Sequence, residues 1–482
     1  MDVDARVLDP EPVTTLADYE RAGGGRALEA ARRAEPEAVI ATVEDAGLRG
    51  RGGAGFPTGT KWRTVFENRS PVVPATVVVN AAEGEPGTFK DRAILRRNPY
   101  RALEGALVAA EVLGADAVVV ATKASFRREI DRLRSAIAEL REAGWTEGVD
   151  VVIVEGPGHY LYGEETALLE VVAGRNPFPR IAPPFRHGVD EPEPDTKSAA
   201  DTQMAGPDPT SVVPPALVNN VETLSNIPGI VADGPGWFRS AGTDRSPGTV
   251  VCTISGRTKR HGVLEVPLGT PLLEVIEAAG GAPSPGDRFV AALSGVANPL
   301  VPEAQLATPV SYEAMEEIGS GLGAAGFIVF DDTTDLAAVA AGVARFLAVE
   351  SCGQCTPCKQ DGLALADLLA RVAGTGADEH DLTAIEDHLA TVTDEARCYL
   401  AHQQQRVVDS VLRLFPEGLR AHLAREAPAA EPELIVPIVD IDGDVAALDT
   451  GHRTKQPDWT HDEVYSGQSP ADRVRLSSSE VL

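Results

Sequence analysis

Three cysteines in the run Ser351-Cys-Gly-Gln-Cys-Thr-Pro-Cys358, answered by a fourth at Cys398, constrain this chain more than any other feature. Only one other cysteine, Cys252, is present, so four of five thiols belong to one constellation. Two-residue spacing lets a tight loop turn Cys352, Cys355 and Cys358 toward a common point, and a separate element must bring the fourth. This is the ligand pattern of a [4Fe–4S] cluster, in which each iron corner takes one thiolate. Structural zinc and inert buried thiols are the alternatives, although zinc sites more often divide into two C-x-x-C pairs. Whatever the fold, it has to place residues 352–358 beside residue 398.

A chain of 482 residues has room for two to four domains. There is no apolar run of the roughly 20 residues that a membrane helix needs, and the N-terminus lacks the basic-then-apolar order of a secretion signal. These features predict a cytoplasmic protein with no direct membrane insertion, and reduced thiols agree with that compartment. The formal charge of −29 argues against nucleic acid or anionic lipid as partner, since both would be repelled.

Residues 1–20 read as a polar arm. Helical periodicity starts near Ala27 and ends at Gly47, a residue suited to a helix C-terminus. Apolar strand-like runs at 75–79, 117–121 and 151–154 alternate with helical patterns at 100–113 and 126–143, which predicts a largely parallel α/β sheet. From 186 to 215 the chain turns acidic and proline-rich, as in a long insertion. Residues 241–333 differ again: strands at 249–255 and 262–265, a short helix at 271–279 and a strand at 289–294 suggest a small β-grasp (ubiquitin-like) module. Cys252 falls in its first strand, as a buried structural thiol. Beyond 334 the pattern is helical, near 335–349, 359–373, 379–391 and 399–414, which predicts a four-helix bundle within 334–425. The three clustered cysteines fall between its first two helices and Cys398 opens the fourth, so one end of one bundle can hold all four. The tail, 426–482, reads as acidic and only partly ordered, with a solvated acidic turn at 440–444.

Residues 48–62 (Leu-Arg-Gly-Arg-Gly-Gly-Ala-Gly-Phe-Pro-Thr-Gly-Thr-Lys-Trp) place five glycines within 50–59. Glycine lets the backbone approach a ligand closely and aim N–H groups at phosphate oxygens. Arg49, Arg51 and Lys61 could neutralise a pyrophosphate and Phe56 could face a flat heterocycle; a merely flexible loop is the alternative. The first and third strand runs also end in glycine-rich segments, Asn80-Ala-Ala-Glu-Gly-Glu-Pro-Gly-Thr88 and Gly156-Pro-Gly-His-Tyr-Leu-Tyr-Gly-Glu-Glu-Thr166. Ligands of α/β sheets bind outside the carboxyl ends of strands, so these segments predict one cofactor pocket.

Residues 47–62, 80–92, 163–168, 218–224 (Val-Asn-Asn-Val-Glu-Thr-Leu) and 351–358, in this order, resemble the flavoprotein subunit of respiratory complex I (the F subunits of NADH:quinone oxidoreductase). The same module occurs in NAD-linked hydrogenases and formate dehydrogenases. The resemblance spans roughly 20–422. It implies a Rossmann-like FMN/NADH-binding domain at 21–240, an SLBB-type β-grasp domain at 241–333 and a helical bundle carrying a [4Fe–4S] cluster. It implies hydride transfer from NADH to FMN, then single electrons to the cluster and to a small ferredoxin-like or other iron–sulfur subunit, with a cytoplasmic place or one peripheral to a membrane complex. Gly50, Arg51, Gly52, Gly53, Ala54, Gly55, Phe56, Gly59 and Lys61 would hold NADH against the flavin. Asn80, Glu83, Tyr160, Gly163, Glu164, Asn219, Asn220 and Thr223 would hold FMN, and Glu85, Glu165 and Phe185 would line the nucleotide side. Hydride transfer needs no general acid or base, so no catalytic proton carrier is expected.

The chain departs from that pattern at the pocket. Ala82 stands where an acidic residue is usual, Tyr162 where cysteine is usual and Ala182 where lysine is usual, and the 186–215 insertion replaces a short link. These changes suggest a divergent paralogue. They also leave open a second reading, a non-catalytic or NADH-binding-impaired electron-transfer or assembly module that keeps the cluster.

Overall fold

The computed structural model describes residues 5–70, 72–180 and 215–479. Ala182, Phe185 and the acidic insertion up to its last residue lie outside them. Among the described residues no helix is long and apolar enough to cross a membrane.

Four parallel strands form the first sheet: β1 (Thr76–Ala81), β2 (Ala117–Lys123), β3 (Asp150–Gly156) and β4 (Ala216–Asn220), in the spatial order β3-β2-β1-β4. Side chains alternate across it. Val77 and Val79 face a core shared with the helices Pro36–Ala46, Pro99–Leu113 and Val221–Asp233, whereas Val78 faces Tyr162, Leu168 and Leu169 on the other side. Burial on both faces is why these strands read as continuous apolar runs. Helix Pro99–Leu113 is buried almost all round and packs so tightly on its neighbour that a Cβ at Gly105 would sit 2.0 Å from the Leu224 carbonyl oxygen. Chain order places β2 and β3 on one side of β1 and β4 on the other. The crevice at the carboxyl ends of β1 and β4 is therefore the topological switch point, where such sheets bind ligands.

The second sheet is mixed: β5 (Thr249–Gly256), β6 (Gly262–Pro267), β7 (Phe289–Ser294), β8 (Val301–Pro302) and β9 (Gly326–Asp331), in the order β6-β5-β9-β7-β8. The helix Leu272–Gly280 covers one face, as a β-grasp requires, and Cys252 is fully buried on β5. Gly47 ends helix Pro36–Ala46 in the left-handed conformation that its position in the sequence predicts.

Helices Leu336–Glu350, Thr356–Ala373, Glu379–Thr391 and Leu400–Leu414 form the bundle, with a short fifth helix, Pro416–Leu423, against it. Asp335 caps the first by accepting the N–H groups of Ala337 and Ala338, and Asp378 with Asp381 makes a capping box on the third. One detail differs from the sequence reading: Cys358 lies inside the first turn of Thr356–Ala373 with Cys355 as its N-cap, so of the three clustered cysteines one already belongs to the helix.

The described residues near both ends are more firmly held than a polar arm and a loose tail would be. Val7 and Leu8 are buried, and the Glu265 carboxylate accepts the N–H groups of Arg6, Val7 and Leu8. Beyond residue 425, Ile435, Val436 and Ile438 are buried. A hairpin, β10 (Ile438–Asp442) and β11 (Val445–Leu448), follows, with Asp440 paired to Arg96 and Arg128. The few apolar residues in these stretches are the anchors, and acidic composition obscures them.

Candidate functional site

The helix leading into the cysteine loop is buried over nearly its whole surface, which fixes where Ser351 and Cys352 emerge. Cys352, Cys355, Cys358 and Cys398 line one cavity, together with Leu161 and Ser351. Among the described residues no three Cys, His, Asp or Glu side chains converge on the position of a single ion. Four thiols around one cavity can give each iron corner of a [4Fe–4S] cluster one thiolate. Donors stand ready for the sulfurs: Gln354 Nε2 lies 3.5 Å from Cys352 Sγ, and Ser351 Oγ 3.4 Å from Cys358 Sγ. Burial raises the Cys352, Cys358 and Cys398 thiols, Cys358 to about 11. Such thiols ionise when a metal takes the thiolate, and the buried Lys359 ammonium beside them adds positive potential.

At the switch point, register sets Asn80 beside Asn220, and Val79 beside Asn219. Asn80 Nδ2 donates to Gly163 O at 2.9 Å, which ties the end of β1 to the short 3-10 turn Tyr160–Gly163. Asn219 accepts from Trp62 Nε1 at 2.8 Å and binds the glycine-rich segment to β4. Lys61 and Glu165 form an ion pair at 2.5 Å, with the Lys61 ammonium also donating to Val218 O at 2.8 Å. Both remain partly accessible, and Phe56, in the same glycine-rich segment, is 54% exposed. Gly53, at φ +126°, faces open space. Glu164 caps the helix Glu165–Val172 by accepting the Ala167 N–H. An ammonium, an exposed ring, a glycine loop and a row of amides around one crevice fit an anionic, aromatic cofactor.

Three expected ligands are drawn elsewhere. The Arg51 guanidinium is buried, donating to Thr249 O at 2.9 Å and Tyr312 Oη at 3.1 Å with Glu222 at 3.7 Å, so it braces the β-grasp domain and cannot reach a pyrophosphate. Glu83 accepts from Asp91 N at 3.1 Å and Arg92 Nε at 2.9 Å, which uses both its oxygens. Thr223 is fully buried under the Arg51 backbone N–H. The structure adds residues that pattern alone does not single out. Lys90 joins Asp91, Asn220 and Glu222 in a buried network; burial lowers its ammonium, but the two carboxylates outweigh that and hold it above the ordinary range. The available signal is the Lys-Asp-Arg triplet at 90–92, charged yet following an apolar strand.

Glu85 joins the three domains. Its carboxylate accepts from Tyr160 Oη at 2.5 Å and from Val296 N at 2.6 Å, and Gln403 Nε2 donates to the same phenol at 2.9 Å. Burial pushes the Glu85 carboxyl up to about 7 against these two hydrogen bonds. Tyr160 thus meets Glu85 and Gln403, while the next residue, Leu161, lines the four-thiol cavity.

Comparison with known proteins agrees with this geometry. Residues 43–229 match the Nuo51 FMN-binding domain, 251–297 the SLBB domain and 338–422 the NADH-ubiquinone oxidoreductase-F iron–sulfur binding region. The chain is 35% identical over 419 residues to the NADH-quinone oxidoreductase F 2 subunit of Rhizobium meliloti, covering 85% of this chain and 94% of that one. It belongs to the family of NADH-quinone oxidoreductase F subunits. It is also 34% identical to the F subunit of Mycobacterium bovis, over 86% of this chain and 92% of that one. Among solved structures it is similar to an NAD+-reducing [NiFe]-hydrogenase chain in the H2-reduced state, with TM-score 0.72 and 32% identity, over 85% of this chain and 66% of that one. The matched FMN-binding region contains the strand ends at Asn80 and Asn220, and the matched iron–sulfur region contains the four cysteines. Two departures from the family pattern are accommodated sterically. Tyr162, in place of cysteine, is fully buried against Gly156, where a Cβ would meet its ring at 2.3 Å. Ala82 is buried with Tyr162 in the apolar cluster on one face of the sheet.

Proposed function

We propose that this chain oxidises NADH and hands the electrons, through its iron–sulfur region, to a separate iron–sulfur subunit of the ferredoxin-like kind. When bound, FMN supplies the conversion of a two-electron hydride into single electrons, and the cluster supplies their onward passage. In this reading residues 21–240 hold flavin and nucleotide, 241–333 brace them, and 334–425 hold the cluster. Phe56 offers its ring to the nucleotide. Lys61 exchanges Glu165 for a phosphate of the nucleotide. Asn80 and Asn219 orient the flavin from the strand ends, with Asn220 held beside them by Lys90 and Asp91 and with Gly163 and Glu164 closing the far side. Cys352, Cys355, Cys358 and Cys398 each hold one iron. The work takes place in a soluble arm on the cytoplasmic side, with any membrane contact made by partners.

The observation that supports this most is the shared wall: Tyr160 reaches Glu85 while its neighbour Leu161 lines the cysteine cavity, so entry and exit lie one residue apart. The buried Ala82 is what favours the second reading, a module that keeps the cluster and has lost productive NADH binding. The two readings separate in one anaerobic experiment. Stoichiometric NADH should bleach the flavin absorbance of the purified protein. Flavin that stays oxidised under excess NADH, yet is reduced by dithionite, would establish the second reading instead.

A further inference from the structure

The chain beyond the bundle runs back across all three domains, and the matched family regions end before it, at residue 422. Glu433 N–H donates to Ala338 O at 2.9 Å on the bundle. The Ile438 and Val439 carbonyls accept from Arg92 Nη1 at 2.8 and 3.0 Å on the flavin-side domain. His261 of the β-grasp holds the hairpin from both directions, donating its N–H to Asp444 O at 2.8 Å and accepting the Ala446 N–H on Nδ1 at 2.8 Å. After the hairpin, the 3-10 turn Thr450–Arg453 carries His452 inward, and Lys455 follows it. Both are buried, though the tail around them is largely exposed.

Their target is Glu350, the last residue of the helix that leads into the cysteine loop. Lys455 Nζ lies 2.6 Å and His452 Nε2 3.0 Å from Glu350 Oε1. The other oxygen, Oε2, accepts the backbone N–H of Tyr160 at 3.0 Å. Lys455 Nζ also stands 3.3 Å from His159 Nδ1, and the His159 ring stacks on Trp459 with centroids 4.0 Å apart. An apolar tail would be enough to cover this surface. A buried carboxylate with two buried donors from the tail on one oxygen and a site-wall amide on the other is directional, and it fails if either side is removed.

We propose that the C-terminal strap, through Lys455 and His452, is a positioning element for the turn Tyr160–Gly163: the strap fixes Glu350, Glu350 fixes the Tyr160 backbone, and the phenol is thereby set against Glu85 and Gln403. This rests on reading that turn as a wall of the flavin site. Lys455 and His452 touch neither reactant; they act through Glu350.

The test uses the full-length chain with Lys455→Met, Glu350→Gln and the double variant, each prepared flavin-free. Amide exchange at 159–163 should quicken by about tenfold or more in K455M while the separately anchored hairpin at 438–448 keeps its wild-type rate. The FMN dissociation constant, from quenching of flavin fluorescence, should rise about tenfold, the scale of one charge-assisted contact. On the Glu350→Gln background the same change should add less than about twofold, because the shared partner is already gone. If K455M does not fold, His452→Asn removes one of the two contacts and is read by the same measures. A K455M that exchanges slowly at 159–163 and binds FMN as the wild type does would overturn the strap's role, even if it melts earlier. A wild-type chain that does not bind FMN would instead overturn the flavin reading, and the exchange comparison would still decide the strap.

Discussion

Replacing Glu85 by Gln should flatten the dependence of stability on pH across the neutral range. Glu85 is half-buried, and among the described residues the groups that hold its carboxylate are the Tyr160 phenol and the Val296 amide, with no cation beside them to favour its ionised form. Burial dominates and raises the folded carboxyl from 4.5 to about 7. Between those values the folded chain holds a proton that the unfolded chain has released. Stability from this group is therefore complete below about pH 4.5, falls as pH rises, and is fully lost above about pH 7. At about 1.4 kcal/mol per pH unit, the interval is worth about 3 kcal/mol, which buried water would reduce. The assay is urea unfolding of flavin-free wild type and E85Q at matched pH values from 5 to 8, read as the difference in midpoint. Glutamine keeps the shape and removes the titration, so E85Q should gain on the wild type as pH rises. A constant difference across that range, or one that shrinks with rising pH, would refute the reasoning from burial.

Gly105→Ala should destabilise the protein by about 2 kcal/mol or more, against the roughly 1 kcal/mol that alanine normally adds to a helix, because its Cβ meets the Leu224 carbonyl at 2.0 Å; a raised midpoint in denaturant would show that these helices are not in such contact. On the proposal that the Lys61 ammonium meets a nucleotide phosphate, Lys61→Met should raise the KM for NADH by about tenfold or more, with kcat changed far less; the opposite split in steady-state kinetics would move Lys61 away from nucleotide binding.

Much of this arrangement is legible in local pattern. The C-x-x-C-x-x-C run, the strand end at Asn80 and the bundle helices are short-range signals, and their elements fall within a few residues of expectation, whereas β4 has no strand run of its own and is marked only by the resemblance at 218–224. Arg51 misleads because a cation in a glycine-rich loop looks ligand-facing, and its true partners, Glu222 and Tyr312, are distant in sequence. Glu83 misleads for the same reason: Arg92 claims it once the chain folds. Pairing of buried charges is a tertiary property that spacing does not encode. The tail is hard to read because its anchors are isolated, a few apolar residues plus His452 and Lys455, within a polar stretch whose average composition resembles disorder.

The central claim is that electrons enter at the strand-end crevice and leave through the four-thiol cavity across the wall formed by Tyr160 and Leu161. The most direct measurement is an anaerobic NADH titration of the purified protein, following flavin absorbance and the electron paramagnetic resonance of the iron–sulfur centre in one sample, for the wild type and Cys398→Ser. If the claim holds, NADH reduces both centres in the wild type and the flavin alone in the variant, which should also hold less iron. A wild-type cluster that stays oxidised beside a fully reduced flavin, or a Cys398→Ser protein with undiminished iron and signal, would contradict it.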